Sequence, residues 1–125
     1  MNRTLTVGIA SYEDMKARTM AVARGERRLA KDEPTVWFTS LESFAKILSA
    51  RNQTLLELIA DREPASLAEL EALSGRARSN LSRTLKTMER YGLVQLSKGD
   101  NRTLVPRVPF DRIRLEMPLH PARAA

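Results

Sequence analysis

Cysteine is absent from this chain, which excludes a disulfide framework and every thiolate metal site. Histidine occurs once, at His120, between prolines near the C-terminus. Neither a His-based triad nor a multi-His metal site can therefore be assembled, and His120 is expected to be solvated. The five glycines stand apart from one another, so no G-x-x-x-x-G-K-S/T or G-x-G-x-x-G loop is present to cradle a phosphate. No apolar run approaches the roughly 18 residues needed to span a bilayer. The first ten residues alternate polar and apolar side chains instead of forming the apolar block of a secretion signal. A cytoplasmic protein with no membrane partner is expected. Acid-base catalysis fares no better, because the carboxylate pairs Asp61/Glu63 and Glu69/Glu71 have i, i+2 spacing and fall on different sides of a helix. The expectation is a protein that is not an enzyme and takes no cofactor and no metal.

The charge is present in excess and unevenly spread. The 125 residues carry 21 Lys/Arg and 15 Asp/Glu, a formal net charge of +6. Residues 1–35 hold 7 basic and 5 acidic residues, residues 36–75 hold 3 and 6, and residues 76–125 hold 11 and 4. The last two fifths of the chain is therefore a positive field, which fits either a solubilising surface or a polyanionic partner. The local pattern has to decide between them.

Along the chain, Thr4 to Ile9 alternates as a short strand does, and Ser11 heads an amphipathic helix carrying Tyr12, Met15, Thr19 and Val22 behind the acidic Glu13 and Asp14. Beyond Gly25, the residues Arg24, Arg27, Arg28 and Lys31 continue at helical spacing towards Pro34. They read as a solvated face or as extra phosphate contacts. Residues 1–35 are taken as a strand-helix extension that contacts a dimer mate or a partner.

From Val36 a compact domain is expected, running to about residue 109. Thr35 to Thr39 is β-prone and holds the only Trp, and Ser40 precedes a helix face of Leu41, Phe44, Ala45 and Leu48. A second helix is expected over Asn52 to Ala60, with Leu55, Leu58 and Ile59 on its stripe and Pro64 beyond its end. Ser66 and Glu69 form the S-x-x-E pattern of a capping box, so a short helix with Leu67, Leu70 and Leu73 should begin there and stop at Ser74-Gly75. A tight turn then leads to another helix, over about 77–90, built on Leu81, Leu85 and Met88.

Two short helices joined by a Gly-containing turn make a helix-turn-helix. The second presents Arg78, Ser79, Asn80, Ser82, Arg83, Lys86, Thr87 and Arg90 away from the apolar stripe, with Arg76 in the turn, and these residue types pair with base edges and phosphates. Asn80 and Arg83 are the candidate base readers, since Asn bonds bidentately to adenine and Arg to guanine, while Ser79 and Ser82 suit phosphate. Gly92 is a left-handed helix stop. Leu93 to Leu96, the turn Lys98-Gly99-Asp100-Asn101 and the strand Thr103 to Val105 then make a β-hairpin with Lys98 and Arg102 at its tip. Those two are either contacts of a wing (97–103) or exposed turn charges.

The run from Leu73 to Val94 resembles the recognition segment of MarR-like winged-helix regulators, and the resemblance extends over about residues 36–108. It implies an α+β fold, a winged helix-turn-helix with a three-helix core and a β-hairpin wing, here preceded by the strand-helix extension. It also implies a sequence-specific regulator of transcription, acting as a repressor and a homodimer, that binds double-stranded DNA with the second helix in the major groove and the wing on the adjacent minor groove or backbone. The strand and helix before Pro34 do not match the long dimerisation helices of that family. A narrower resemblance is to small bacterial and archaeal proteins of this class that look like antitoxins. It gives the alternative of an interaction protein that neutralises a toxin partner and represses their shared promoter.

A further alternative keeps the fold but changes the target to RNA or to protein alone. Aromatic residues make up 5% of the chain, and none falls on the expected groove-facing surface, which argues against stacking of single-stranded bases. Residues 110–125 remain as a C-terminal strand and tail. Ile113, Leu115 and Met117 alternate there with Arg112, Arg114 and Glu116, as in a third strand on the wing or an edge strand pairing across a dimer or with a partner.

Overall fold

The computed structural model describes residues 3–26 and 33–119. Arg27, Arg28, Lys31 and His120 lie outside the described residues. The α+β class expected from the sequence is observed, with its elements divided between two compact units: residues 1–46 with 112–125, and residues 47–111. No helix among the described residues is long and apolar enough to cross a membrane.

The first unit is built on strand β1 (Thr4–Ile9), helix α1 (Tyr12–Ala23), strand β2 (Val36–Phe38), helix α2 (Leu41–Ile47, all but its last residue) and a strand near the C-terminus, Arg112–Glu116. The Ser11 hydroxyl accepts the Asp14 amide at 3.1 Å and starts α1. Gly25, at φ 75°, stops it. The Glu26 amide donates to the Ala21 carbonyl and the Gly25 amide to the Val22 carbonyl, the paired bonds of a Schellman motif. The left-handed Gly25 turns the chain out of α1, which ends there, and Arg27, Arg28 and Lys31 of the expected basic stripe lie outside the described residues. The expected amphipathic character is weak: α1 buries no residue fully, and Tyr12 is exposed.

β1 is the middle strand of a parallel sheet, with β2 on one side and the C-terminal strand on the other. Val7, Ile9 and Phe38 are buried on one face, and Phe44 of α2 meets Phe38 edge-on at 5.4 Å between ring centroids. On the other face Trp37 lies against Gly8 and under the Arg18 guanidinium, which sits 4.9 Å from the ring centroid. Two sequence expectations change here. The C-terminal strand does not join the hairpin; it pairs in parallel with β1, matching Thr4 to Arg112 and Gly8 to Glu116. The strand and helix after Pro34, assigned to the domain expected over 36–109, group instead with the N-terminal strand, and the second unit starts at Ile47.

The second unit holds α3 (Ala50–Arg62), α4 (Leu67–Ser74), α5 (Arg78–Arg90) and the antiparallel strands β3 (Gln95–Lys98) and β4 (Leu104–Arg107). The C-terminal strand of the first unit is accordingly β5. Ser49 caps α3 by accepting the Asn52 amide at 3.2 Å. Ser66 caps α4 by accepting the Glu69 amide at 3.1 Å, and the Glu69 carboxylate returns to the Ala65 amide at 3.2 Å, one residue before the donor a capping box normally uses. Leu55, Leu56, Ile59, Leu70, Leu81, Leu85, Met88, Leu93 and Val94 form the core. Fully burying an aliphatic side chain of this kind contributes about 1.5–3 kcal/mol. On α3 it is Leu56 that is buried, while Leu58 is half-buried.

A Schellman pair closes α5, with the Leu93 amide donating to Met88 and the Gly92 amide to Glu89, and Gly92 sits at φ 74° as the sequence requires. The first hairpin strand begins at Gln95, two residues later than expected, because Leu93 and Val94 are drawn into the core beneath it.

Candidate nucleic-acid interface

The second unit places α5 with one face inward and one outward. Leu81, Leu85 and Met88 are at most 1% exposed. At about 100° per residue, Ser79, Arg83, Lys86 and Arg90 share a line roughly opposite that core stripe. Ser79, Arg83, Lys86 and Arg90 are all exposed. Three cations and a hydroxyl therefore lie along one side of a thirteen-residue helix. The acid of this helix, Glu89, lies to the flank by the same angular count.

The remaining predicted residues take other positions. Arg78 lies near the core side of the helix and is held by Glu71 of α4: its amide donates to Oε2 at 3.1 Å, and its guanidinium meets Oε1 at 3.4 Å. Ala77 offers no side-chain cap to α5, so Glu71 serves as the cap from the preceding helix. Asn80, Ser82 and Thr87 are half-buried on the flanks. The Thr87 hydroxyl donates to the Arg83 carbonyl at 3.1 Å and accepts from Arg90 at 3.5 Å.

Arg76 is corrected most. Expected as a phosphate contact in the turn, it is buried, 8% exposed, and spends its guanidinium inside the unit. Nε donates to Asn80 Oδ1 at 2.8 Å, Nη1 to Asn52 Oδ1 at 3.0 Å and Nη2 to Thr84 Oγ1 at 3.2 Å. Burial, with the nearby charge of Arg51 adding to it, holds its pKa below the ordinary arginine value. A cation is tolerated there because each nitrogen has an acceptor. Asn52 is fixed in turn, its Nδ2 donating to the Ile47 carbonyl at 2.9 Å.

An antiparallel hairpin is present, with Gln95 opposite Arg107 and Lys98 opposite Leu104, and its strands, Gln95–Lys98 and Leu104–Arg107, both run later than the expected Leu93 to Leu96 and Thr103 to Val105. Its tip is a tight turn over Asp100–Arg102, in which Asn101 and Arg102 take positive φ angles of 58° and 61°. Lys98 and Arg102 are both exposed there. Arg107, which sequence reasoning passed over, anchors the hairpin base by donating to the Pro64 carbonyl at 2.7 Å and lying 3.5 Å from Glu63. Its signal in the sequence is slight, one more cation in a basic stretch.

The family model HVO_A0114 matches residues 47–115, more than half of the chain, and the chain belongs to that family. The matched span contains the second unit, with α5 and the hairpin. Comparison with curated proteins gave no match, and comparison with solved structures gave none.

Proposed function

We propose that this chain binds double-stranded DNA as a winged helix-turn-helix regulator of transcription. The observation that carries the reading is the stripe Ser79, Arg83, Lys86 and Arg90, exposed along α5 on the side away from its buried Leu81, Leu85 and Met88. A helix so arranged can enter the major groove, where phosphates flank it on both sides and base edges lie beneath. The three-residue link between α4 and α5 and the antiparallel hairpin that follows supply the turn and the wing. Lys98 and Arg102 at the hairpin tip are then suited to phosphates beside the minor groove.

Arg83, in the middle of the stripe, is the base reader, with guanine as its natural target. Lys86, Arg90 and Ser79 hold the backbone. The test is fluorescence anisotropy with duplex DNA from the upstream region of the protein's own gene, across a salt series, comparing the wild type with an Arg83→Ala, Lys86→Ala double variant. Tight, salt-dependent binding that the double variant loses is the expected result. No wild-type binding at low salt would defeat the proposal.

A further inference from the structure

The parallel sheet of the first unit ends on β5, and the chemistry of that edge is self-complementary. Among the described residues β5 is hydrogen-bonded on one side only, to β1. The Arg112 amide donates to the Arg3 carbonyl. Backbone groups of successive strand residues point to opposite sides, so those of Arg112, Arg114 and Glu116 face β1, and those of Ile113 and Leu115 face outward. The side chains alternate across the sheet. Arg112, Arg114 and Glu116 share a face with Thr4, Thr6 and Gly8, while Ile113 and Leu115 share the other with Leu5 and Val7. Val7 is 0% exposed, whereas Leu115 and Met117 remain 41% and 45% exposed. The outward-bonding residues of this strand, Ile113 and Leu115, are neither proline nor charged, which makes the edge a template for another strand.

We infer that β5 pairs antiparallel with β5 of a second copy, Leu115 opposite Leu115 on the two-fold axis, to form a continuous six-stranded sheet. The register follows from charge. Centring the axis on Ile113 sets Arg112 against Arg114 of the other copy, centring on Arg114 sets that arginine against itself, and centring on Glu116 does the same with the glutamate. Centring on Leu115 sets Arg114 opposite Glu116 twice and leaves no like charges facing each other. It also makes Leu115 with Leu115, and Ile113 with Met117, the hydrogen-bonded pairs, which matches the outward-facing backbone groups of Ile113 and Leu115. Apolar side chains then cover the exposed Leu115 and Met117. This inference concerns the first unit and does not rest on the DNA reading.

The experiment is sedimentation equilibrium of the full chain without DNA, over a range of concentrations. The wild type should associate to a dimer. Arg114→Glu and Glu116→Arg should each weaken association roughly tenfold by turning both cross-strand pairs repulsive, and the double swap, Arg114→Glu with Glu116→Arg, should restore it. Leu115→Pro removes an outward amide that β1 does not use, so it should abolish the dimer while circular dichroism stays that of the wild type. A monomeric wild type at every concentration would overturn the inference. So would a double swap that folds but stays as weak as the single variants, because only the Leu115-centred register is rescued by exchanging these charges.

Discussion

The Arg76 guanidinium donates through Nε to Asn80 Oδ1 at 2.8 Å, joining the turn before α5 to the first turn of that helix. Nη1 and Nη2 extend the link to Asn52 at the start of α3 and to Thr84 one turn further along α5. The bond also changes what Asn80 can do. Reading adenine bidentately needs both the oxygen and the nitrogen of the amide. With one lone pair of its oxygen taken by Arg76 and its side chain half-buried on the flank of α5, the Asn80 amide is held towards the turn and not turned to an adenine edge. In the DNA reading this leaves Arg83 as the residue that discriminates among bases.

Removing Arg76 should therefore act on stability first. Arg76→Ala leaves Asn52, Asn80 and Thr84 short of a partner inside the unit, and a loss of about 2–3 kcal/mol is expected. Arg76→Lys should recover little of it, because one ammonium cannot serve three acceptors set around a planar fork. Urea denaturation followed by circular dichroism measures both. A cost below about 0.5 kcal/mol, the usual range of surface substitutions, would show that the network contributes nothing.

Glu71 links stability and charge in opposite senses. Its carboxylate caps the Arg78 amide and sits beside the Arg78 guanidinium. Glu71→Ala should cost about 1 kcal/mol through the lost cap and should also leave the Arg78 charge unscreened beside the proposed interface. The expected outcome is a less stable protein with tighter binding to duplex DNA at low salt. Binding that weakens in step with stability would mean that Arg78 takes no part.

Much of the second unit could be read in the sequence because its signals are local. The i, i+4, i+7 spacing of Leu81, Leu85 and Met88, the Ser66 cap and the Gly92 stop each specify their structure within a few residues, and all three are found. Arg76 could not be read this way. An arginine in a turn is usually exposed, and its acceptors Asn52 and Thr84 arrive from 24 residues before it and 8 after it. β5 failed for a related reason. Alternation in Arg112 to Met117 announces a strand but not its neighbour, and the observed neighbour is at the far end of the chain, whereas the hairpin lay close by. The unit boundary at Ile47 goes with another pairing of β1, that with β2, which draws the strand and helix after Pro34 to the N-terminal strand.

Gly8 and Trp37 give a prediction within the first unit. A Cβ built on Gly8 would stand 2.5 Å from Cε3 and Cζ3 of Trp37, well inside contact distance. The ring is also covered by Arg18 at 4.9 Å. Gly8→Ala must displace the indole and should cost about 1–3 kcal/mol, as overpacking does. Trp37 is the single tryptophan of the chain, so its emission reports the displacement directly. Combining Gly8→Ala with Trp37→Leu should cost less than the two changes added together. Strict additivity would show that the two side chains do not collide.

The wing and the helix should fail in different ways if the DNA reading holds. Lys98 and Arg102 sit at the exposed hairpin tip and suit phosphate, which carries no sequence information. Lys98→Ala with Arg102→Ala should weaken binding to all duplexes alike and reduce the slope of log affinity against log salt by about 2, one for each lost phosphate contact. Arg83→Ala should instead narrow the gap between the preferred duplex and a competitor with one base pair changed, by about 1–3 kcal/mol for a lost bidentate contact. Neither change touches the core, since all three side chains are exposed, so melting temperatures should stay near that of the wild type. Competition titrations with matched and mismatched duplexes at several salt concentrations separate the two patterns. If Arg83→Ala also shifts every duplex equally, Arg83 is a backbone contact, and sequence is read by groups outside the α5 stripe or through the shape of the duplex.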